Sequence, residues 1–386
     1  MSNGLSRRQF LKIMASCSAI GAGLSLDSNA TAQMPIDFGT GQPITGPSDK
    51  FTQEAMFYKP LGEKKIQCLL CPRQCRIIDG ERGYCGVREN RSGKYYTLVF
   101  SRVCTAHNDP IEKKPFYHFL PGSTAFSLAT AGCNVECRFC QNWQISQFRP
   151  EQVQSIYLPP DQVADLAHRE SSPTIAYTYS EPVIFYEYML ATAREGRRHG
   201  IKSVMVSNGF INQDPMDKLL GAVDAVKIDL KAFTEKFYRE VCSGELKPVL
   251  KTMELIKKRG VWLEIVVLIL PTLNDSDEEI TNLCRWVKAN LGKETPVHFT
   301  RFYPTYKIKN LPPTPVPTLE KAYQIAVAEG LFFPYVGNVP GHPMDQTRCP
   351  ICRNEVIRRI GFYDVKCLLK NGRCPKCDNP LPGVWI

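Results

Sequence analysis

The 386-residue sequence has no apolar run that reads as a membrane span. Its best candidate, Ile13 to Leu26, is too short and too rich in Ser, Gly and Ala. No segment repeats, which sets aside repeat architectures. Nor is there a basic run with interleaved aromatics, the footprint of a nucleic-acid binder. The net charge of +10 is spread along the chain and reads as a solvated basic surface. Apolar residues are not in short supply: at 43% they exclude bulk disorder, and the length allows one large domain with smaller appendages.

What is abundant is cysteine, with 16 residues. They fall into three groups, Cys68/Cys71/Cys75/Cys85, Cys133/Cys137/Cys140 and Cys349/Cys352/Cys374/Cys377, with the others scattered. Disulfide scaffolds belong to short secreted chains, whereas tight Cys-x-x-Cys spacing in a large chain points to metal. Cysteines two or three residues apart are poorly placed to bridge each other and well placed to converge on one ion or cluster.

Residues 1–32 read as an export signal: Ser6-Arg7-Arg8-Gln9-Phe10-Leu11-Lys12 matches the twin-arginine pattern, followed by the mild apolar run and the small-residue site Ala30-Thr31-Ala32. This predicts a periplasmic destination. Residues 33–60, rich in Pro and Gly, read as a linker, and residues 61–120 as a Cys-rich segment with a short strand at Tyr95–Phe100. Over 121–340, strand-like runs at Ala125–Ala131, Thr174–Thr178, Ser203–Ser207, Ala225–Leu230, Trp262–Leu268 and Val297–Phe302 alternate with helical patterns. The helices are expected at Pro160–Glu170, Pro182–His199, Pro215–Leu220, Pro248–Arg259, Asp275–Asn290 and Thr318–Glu329. Such β/α units imply a parallel sheet buried on both faces, as a doubly wound sheet or a full or partial barrel. Functional residues then follow strand C-termini, as the cysteine trio does. Residues 341–386 read as a small metal-nucleated module.

Cys133-x-x-x-Cys137-x-x-Cys140 supplies three thiolates. A [4Fe–4S] cube takes one ligand per iron, so three leave one iron open. An open iron can chelate the amino and carboxylate groups of S-adenosylmethionine (SAM), and one electron then cleaves the sulfonium and releases a 5′-deoxyadenosyl radical. Structural zinc would want a fourth ligand nearby, and the closest preceding histidines, His107 and His118, lie upstream of the trio's strand. Asp229 and Lys231 follow the fourth run and place two charges at the end of a buried strand, where charges seldom lack a task.

The stretch Cys133-Asn134-Val135-Glu136-Cys137-Arg138-Phe139-Cys140-Gln141-Asn142-Trp143 resembles the cluster loop of radical SAM proteins. More narrowly, the chain resembles the AmmeMemoRadiSam system radical SAM enzymes, relatives of pyruvate formate-lyase activating enzymes. Cys71-Pro72-Arg73-Gln74-Cys75, Gly83-Tyr84-Cys85-Gly86-Val87-Arg88, Asp109-Pro110-Ile111-Glu112-Lys113-Lys114-Pro115, Tyr177-Thr178-Tyr179-Ser180-Glu181-Pro182 and the C-terminal cysteine pairs carry the likeness. It spans roughly residues 65–385.

The resemblance implies an α/β fold with a partial (β/α)6 barrel, one catalytic [4Fe–4S] cluster and SAM. It places Tyr179, Ser180 and Glu181 beside the SAM amino group, Ser207 and Asn208 near the ribose, and Asp229 and Lys231 around SAM. The alternatives are an N-cap at Ser180 and a plain turn at Ser207–Gly209. An arginine that activating enzymes carry in the fifth strand is replaced here by Glu264, leaving Arg301 or Lys307 for the SAM carboxylate, and Val206 stands where those enzymes tend to have an Asp. A reduced electron donor is required, and the substrate is a protein glycyl residue or a small molecule. SAM and low-potential reductant are cytoplasmic supplies, which makes the cytoplasm the alternative to export.

The first cysteine group suits zinc or a second iron–sulfur cluster. The last, two Cys-x-x-Cys pairs, suits a zinc ribbon or a rubredoxin-like knuckle, in which zinc is structural and iron could pass electrons. The rival functions are a multi-centre iron–sulfur electron carrier without SAM chemistry and a zinc-ribbon nucleic-acid binder.

Overall fold

The computed structural model describes residues 48–385, so the expected twin-arginine signal lies outside the described residues. Its main sheet runs β1 (Thr105–Pro110), β2 (Thr124–Ala129), β3 (Thr174–Tyr177), β4 (Lys202–Ser207), β5 (Ala225–Asp229), β6 (Trp262–Ile269), β7 (Val297–Arg301) and β8 (Pro334–Gly337). Strand order across the sheet equals chain order. β1 pairs antiparallel with β2, and every later neighbour pair is parallel. A doubly wound sheet reverses its strand order at a switch point, and this one never does. It is an open wall of seven parallel strands with one antiparallel strand at its edge, against the six parallel strands expected.

The crossovers are α1 (Pro160–Arg169), α2 (Tyr186–Arg198), α3 (Gln213–Leu220), α4 (Glu235–Cys242) with α5 (Leu246–Lys258), α6 (Asp277–Asn290) and α7 (Val316–Ala328). Their ends are chemically marked. Ser276 caps α6 by accepting from the Glu279 amide, with Asp277, Glu278 and Glu279 in the first turn. Thr234 caps α4, which ends where Ser243 turns left-handed. The helices pack on one face of the sheet, where Ile175, Tyr177, Met205, Ile228 and Ile265 join a single core.

The opposite face carries the small residues Ala125, Ala176 and Ala225, with Val204 beside them; Phe116 and Phe119 pack against this row. The segment 111–120 therefore plugs the inner face. Its anchor is Glu264, fully buried on β6. The Glu264 carboxylate accepts from the amides of Tyr117 (3.0 Å) and His118 (2.8 Å), from Trp262 Nε1 (3.1 Å) and from His298 Nε2 (2.8 Å). Glu264 thus holds the plug and has no capacity left for a ligand.

The C-terminal module is a three-stranded antiparallel sheet. It packs on Tyr117, Phe333 and Tyr335, and Arg359 donates to the Tyr117 carbonyl at 2.8 Å. Val365 lies against Gly122, just before β2, while Thr347 bonds Tyr335 of β8 at 2.9 Å. The module thereby spans from the last strand to the approach of the first parallel one. The expected linker is packed where it is described: Phe51 is fully buried, and the Met56 amide donates to Glu187 at 2.7 Å. Among the described residues no helix is long and apolar enough to cross a membrane.

Replacing Glu264 by Leu strands several buried donors, each costing about 1–3 kcal/mol. The expected outcome is a loss of roughly 3 kcal/mol or more in denaturant unfolding. A variant within about 0.5 kcal/mol of the parent, the range of ordinary surface changes, would contradict the anchoring role.

Candidate active site

The strands deliver their C-termini to a cavity of about 560 Å³. Cys133, Cys137 and Cys140 line it, together with Tyr179, Ser180, Glu181, Ser207, Asn208, Asp229 and Lys231. Every residue that the sequence assigned to this site is there except the two candidates for the SAM carboxylate, Arg301 and Lys307. The Arg301 guanidinium is held by the Thr314 carbonyl (2.8 Å) and the Tyr303 hydroxyl (3.3 Å), and it does not line the cavity. Lys307 does not line it either.

The cysteine loop has little secondary structure of its own and is gripped from three sides. The amides of Glu136 and Arg138 donate to the carbonyls of Cys242 and Val241 at the end of α4, both at 2.9 Å. Arg73 Nε donates to the Asn134 carbonyl at 2.6 Å. Behind the loop, Gly132 has φ +102°, and a Cβ there would sit 2.6 Å from Val87 and 3.0 Å from the Cys85 carbonyl, so only glycine fits. Cys242, which spacing left among the scattered cysteines, stands beside the loop, its thiol acting on Cys137. That thiol, then Lys231, lowers the Cys137 pKa, while burial and then Glu181 push the Cys133 thiol up.

Glu181 ties the strand ends together. Its carboxylate accepts from the Ser207 hydroxyl (2.6 Å), the Asn208 amide (2.8 Å) and the Val183 amide (3.0 Å). Burial pushes its pKa up to about 7 against these donors. The cap of the following turn is therefore Glu181, with Pro182 next, and not Ser180, whose hydroxyl donates to the Thr130 carbonyl at 2.7 Å. The Asn208 amide group donates to Asn134 Oδ1 (2.9 Å) and faces Cys133 Sγ (3.8 Å), so Asn208 braces the cysteine loop.

Two ionic knots complete the lining. Asp229 sits between Lys227 and Lys231, bonding Lys227 Nζ through one oxygen and Lys231 Nζ through the other at 3.0 Å. Burial opposes its ionisation, yet the two ammonium groups hold its pKa down at about 2. Deeper, Asp109 pairs with buried Lys114 and accepts from the Tyr179 hydroxyl. Burial lowers Lys114 to about 8, and Asp109, despite burial, is held below the carboxylate range chiefly by Lys114. Spacing had not singled out Lys227 or the Asp109–Lys114 pair; the second was visible as part of the Asp109–Pro115 motif.

The sulfur spacings separate the cysteine groups chemically. Cys349, Cys352, Cys374 and Cys377 have all four sulfurs within 4.8 Å of one another, with Cys349–Cys377 and Cys352–Cys374 at 3.6 Å. A tetrahedral ion with metal–sulfur bonds of about 2.3 Å needs sulfurs about 3.8 Å apart, so this set fits a single ion. Among the described residues it is the one set of three or more metal-binding side chains drawn so close. The trio is wider, as expected where each thiolate binds its own iron of a cube. The single-ion set also shares its core with Phe333, at the start of β8, whereas the trio lies at the strand C-termini.

A profile of the Radical SAM superfamily matches residues 127–285. An uncharacterized protein of Methanocaldococcus jannaschii is 43% identical over 332 residues, covering 85% of this chain and 98% of that one. The benzylsuccinate synthase activating enzyme of Thauera aromatica is 20% identical over 137 residues, covering 35% of this chain and 41% of the enzyme. Among solved structures, a radical SAM methyltransferase from Sphaerobacter thermophilus aligns with a TM-score of 0.44 and 17% identity over 56% of this chain and 67% of that one. Membership implies a [4Fe–4S] cluster and SAM, for which the open, sulfur-lined cavity has the ligands and the room: the chain belongs to the radical SAM superfamily.

Proposed function

We propose that this protein cleaves SAM reductively at a cluster held by Cys133, Cys137 and Cys140, and uses the product radical to take hydrogen from a substrate. The observation that carries the reading is the placement of three cysteines, the ones that line it among the described residues, on a cavity at the strand C-termini. When bound, the cluster supplies the electron that breaks the sulfonium of SAM and yields a 5′-deoxyadenosyl radical. The residues around it do the binding. Lys231 is the cavity cation whose charge acts on Cys137, so it takes the SAM carboxylate in place of the fifth-strand arginine that this chain lacks. Asp229 fixes Lys231 and offers negative charge to the amino group. Ser207 lines the cavity with its hydroxyl directed to Glu181.

A protein glycyl residue is the preferred substrate, supported by the activating enzymes among the relatives, which align with less than half of this chain. A low-potential one-electron donor must feed the centre.

Each of Cys133→Ala, Cys137→Ala and Cys140→Ala is expected to abolish 5′-deoxyadenosine formation from SAM and dithionite in anaerobically reconstituted protein. Near-parental formation by any one variant would refute the assignment. Asp229→Asn is expected to weaken SAM binding roughly ten- to a hundredfold, the loss of one charge-assisted hydrogen bond of about 1.5–3 kcal/mol. With Lys227 buried against Asp229, its melting temperature should fall as well. An unchanged SAM dissociation constant by titration would make the pair structural.

A further inference from the structure

We propose that Cys68, Cys71, Cys75 and Cys85 hold a second [4Fe–4S] cluster that relays single electrons to the centre at Cys133, Cys137 and Cys140. The acceptor role rests on the function proposed above; the site itself does not.

The four residues converge from two loops. The Cys68 amide donates to the Cys75 carbonyl at 2.9 Å, closing the loop that carries Cys71. Cys75 Sγ reaches across to Gly83, lying 3.9 Å from where a Cβ would stand there, and the Gly83–Gly86 turn carries Cys85. Cys68 and Cys71 are buried, while Cys75 and Cys85 are half-buried. Yet no three of their sulfurs draw within 4.8 Å, as the C-terminal set does in the same molecule. One tetrahedral ion requires the tight spacing, and a cube with one thiolate per iron requires the wide one.

Arg88 supplies an independent sign. Its side chain is 1% exposed, and its charge acts on Cys68 and Cys85. Nη2 bonds Glu187 Oε1 at 2.6 Å and the Met56 carbonyl at 3.1 Å, while Nε and Nη1 have no hydrogen-bond partner among the described residues. Buried guanidinium donors are seldom left idle. With its charge acting on Cys68 and Cys85, the acceptors that suit these donors are the sulfurs of an anionic cluster, whose potential such bonds tune.

The site abuts the catalytic loop. Arg73, between Cys71 and Cys75, holds the carbonyl of Asn134, between Cys133 and Cys137. Cys85 and Cys133 line one cavity of about 700 Å³. In the relay, a low-potential one-electron donor reduces the second core from 2+ to 1+. That electron then passes to the catalytic centre, returning the core to 2+ with no proton or bond exchanged.

The test uses the full chain, reconstituted anaerobically with ferrous iron and sulfide, then assayed for iron, sulfide and zinc and by electron paramagnetic resonance after reduction. The Cys133→Ala/Cys137→Ala/Cys140→Ala protein should keep about four irons and about four sulfides with a reduced-cluster signal, whatever its SAM chemistry. Cys75→Ala/Cys85→Ala should lose about four irons and keep the catalytic four. With reduced flavodoxin as donor, the second variant should form 5′-deoxyadenosine at least tenfold more slowly than the parent, with a smaller deficit under dithionite. A triple variant that retains no cluster, or that carries zinc at this site, would overturn the cluster. Equal rates with flavodoxin would overturn the relay. Loss of SAM cleavage in the parent itself, with both clusters present, would instead count against the function proposed above.

Discussion

Three sulfurs on the loop Cys133–Cys140 can serve one cluster only if a nearly structureless stretch is held still from outside. A loop pays entropy for every residue it orders, and this one forms few internal bonds to offset that cost. The surroundings supply the rest: the last turn of α4 behind Glu136 and Arg138, Arg73 across Asn134, Asn208 beneath Cys133, and the Cys-rich segment pressed onto Gly132. The open parallel wall matters because it sets the ends of β2, β3, β4 and β5 around that loop. The plug anchored on Glu264 matters because it fills the wall's other end with apolar packing and leaves the cavity at the cysteine end.

The cavity's charges are arranged in closed groups. Asp229 is shared by two lysines, Asp109 is shared by Lys114 and Tyr179, and Glu181 is shared by two strand ends. Buried charges left single would be costly, whereas grouped ones hold fixed positions before any ligand arrives. That preorganisation suits a site that must orient a small charged molecule against a cluster edge.

Much of the fold was legible in the sequence, because strands buried on both faces read as continuous apolar runs. The runs at Thr174, Ala225, Trp262 and Val297 begin where the strands begin. What escaped has a physical reason. β1 is Thr-Ala-His-Asn-Asp-Pro, polar and ended by proline, and β8 is four residues with a proline and a glycine; neither makes an apolar run. α4 escaped as a short, charged helix whose packing face is read only in the assembled fold. In the site, the cysteines were legible from spacing, Asp229 and Lys231 from their place at a strand end, and Tyr179, Ser180, Glu181, Ser207 and Asn208 through the family resemblance. Cys242, Lys227 and Arg88 were not, because each acquires its meaning from partners far along the chain or across a strand face. Arg301 lies off the cavity for the same reason: its carbonyl partner, Thr314, stands 13 residues further along the chain.

The central claim is an iron left open by the protein, and Cys242 sits close enough to Cys137 to make that claim vulnerable. Were Cys242 a fourth ligand, the chain would be an electron carrier with no place for SAM. Electron paramagnetic resonance of the reduced Cys75→Ala/Cys85→Ala protein isolates the centre at issue. On addition of SAM its spectrum should shift, because SAM enters the coordination sphere of the open iron. A spectrum unchanged by saturating SAM would mean that the iron is closed, and would contradict the account.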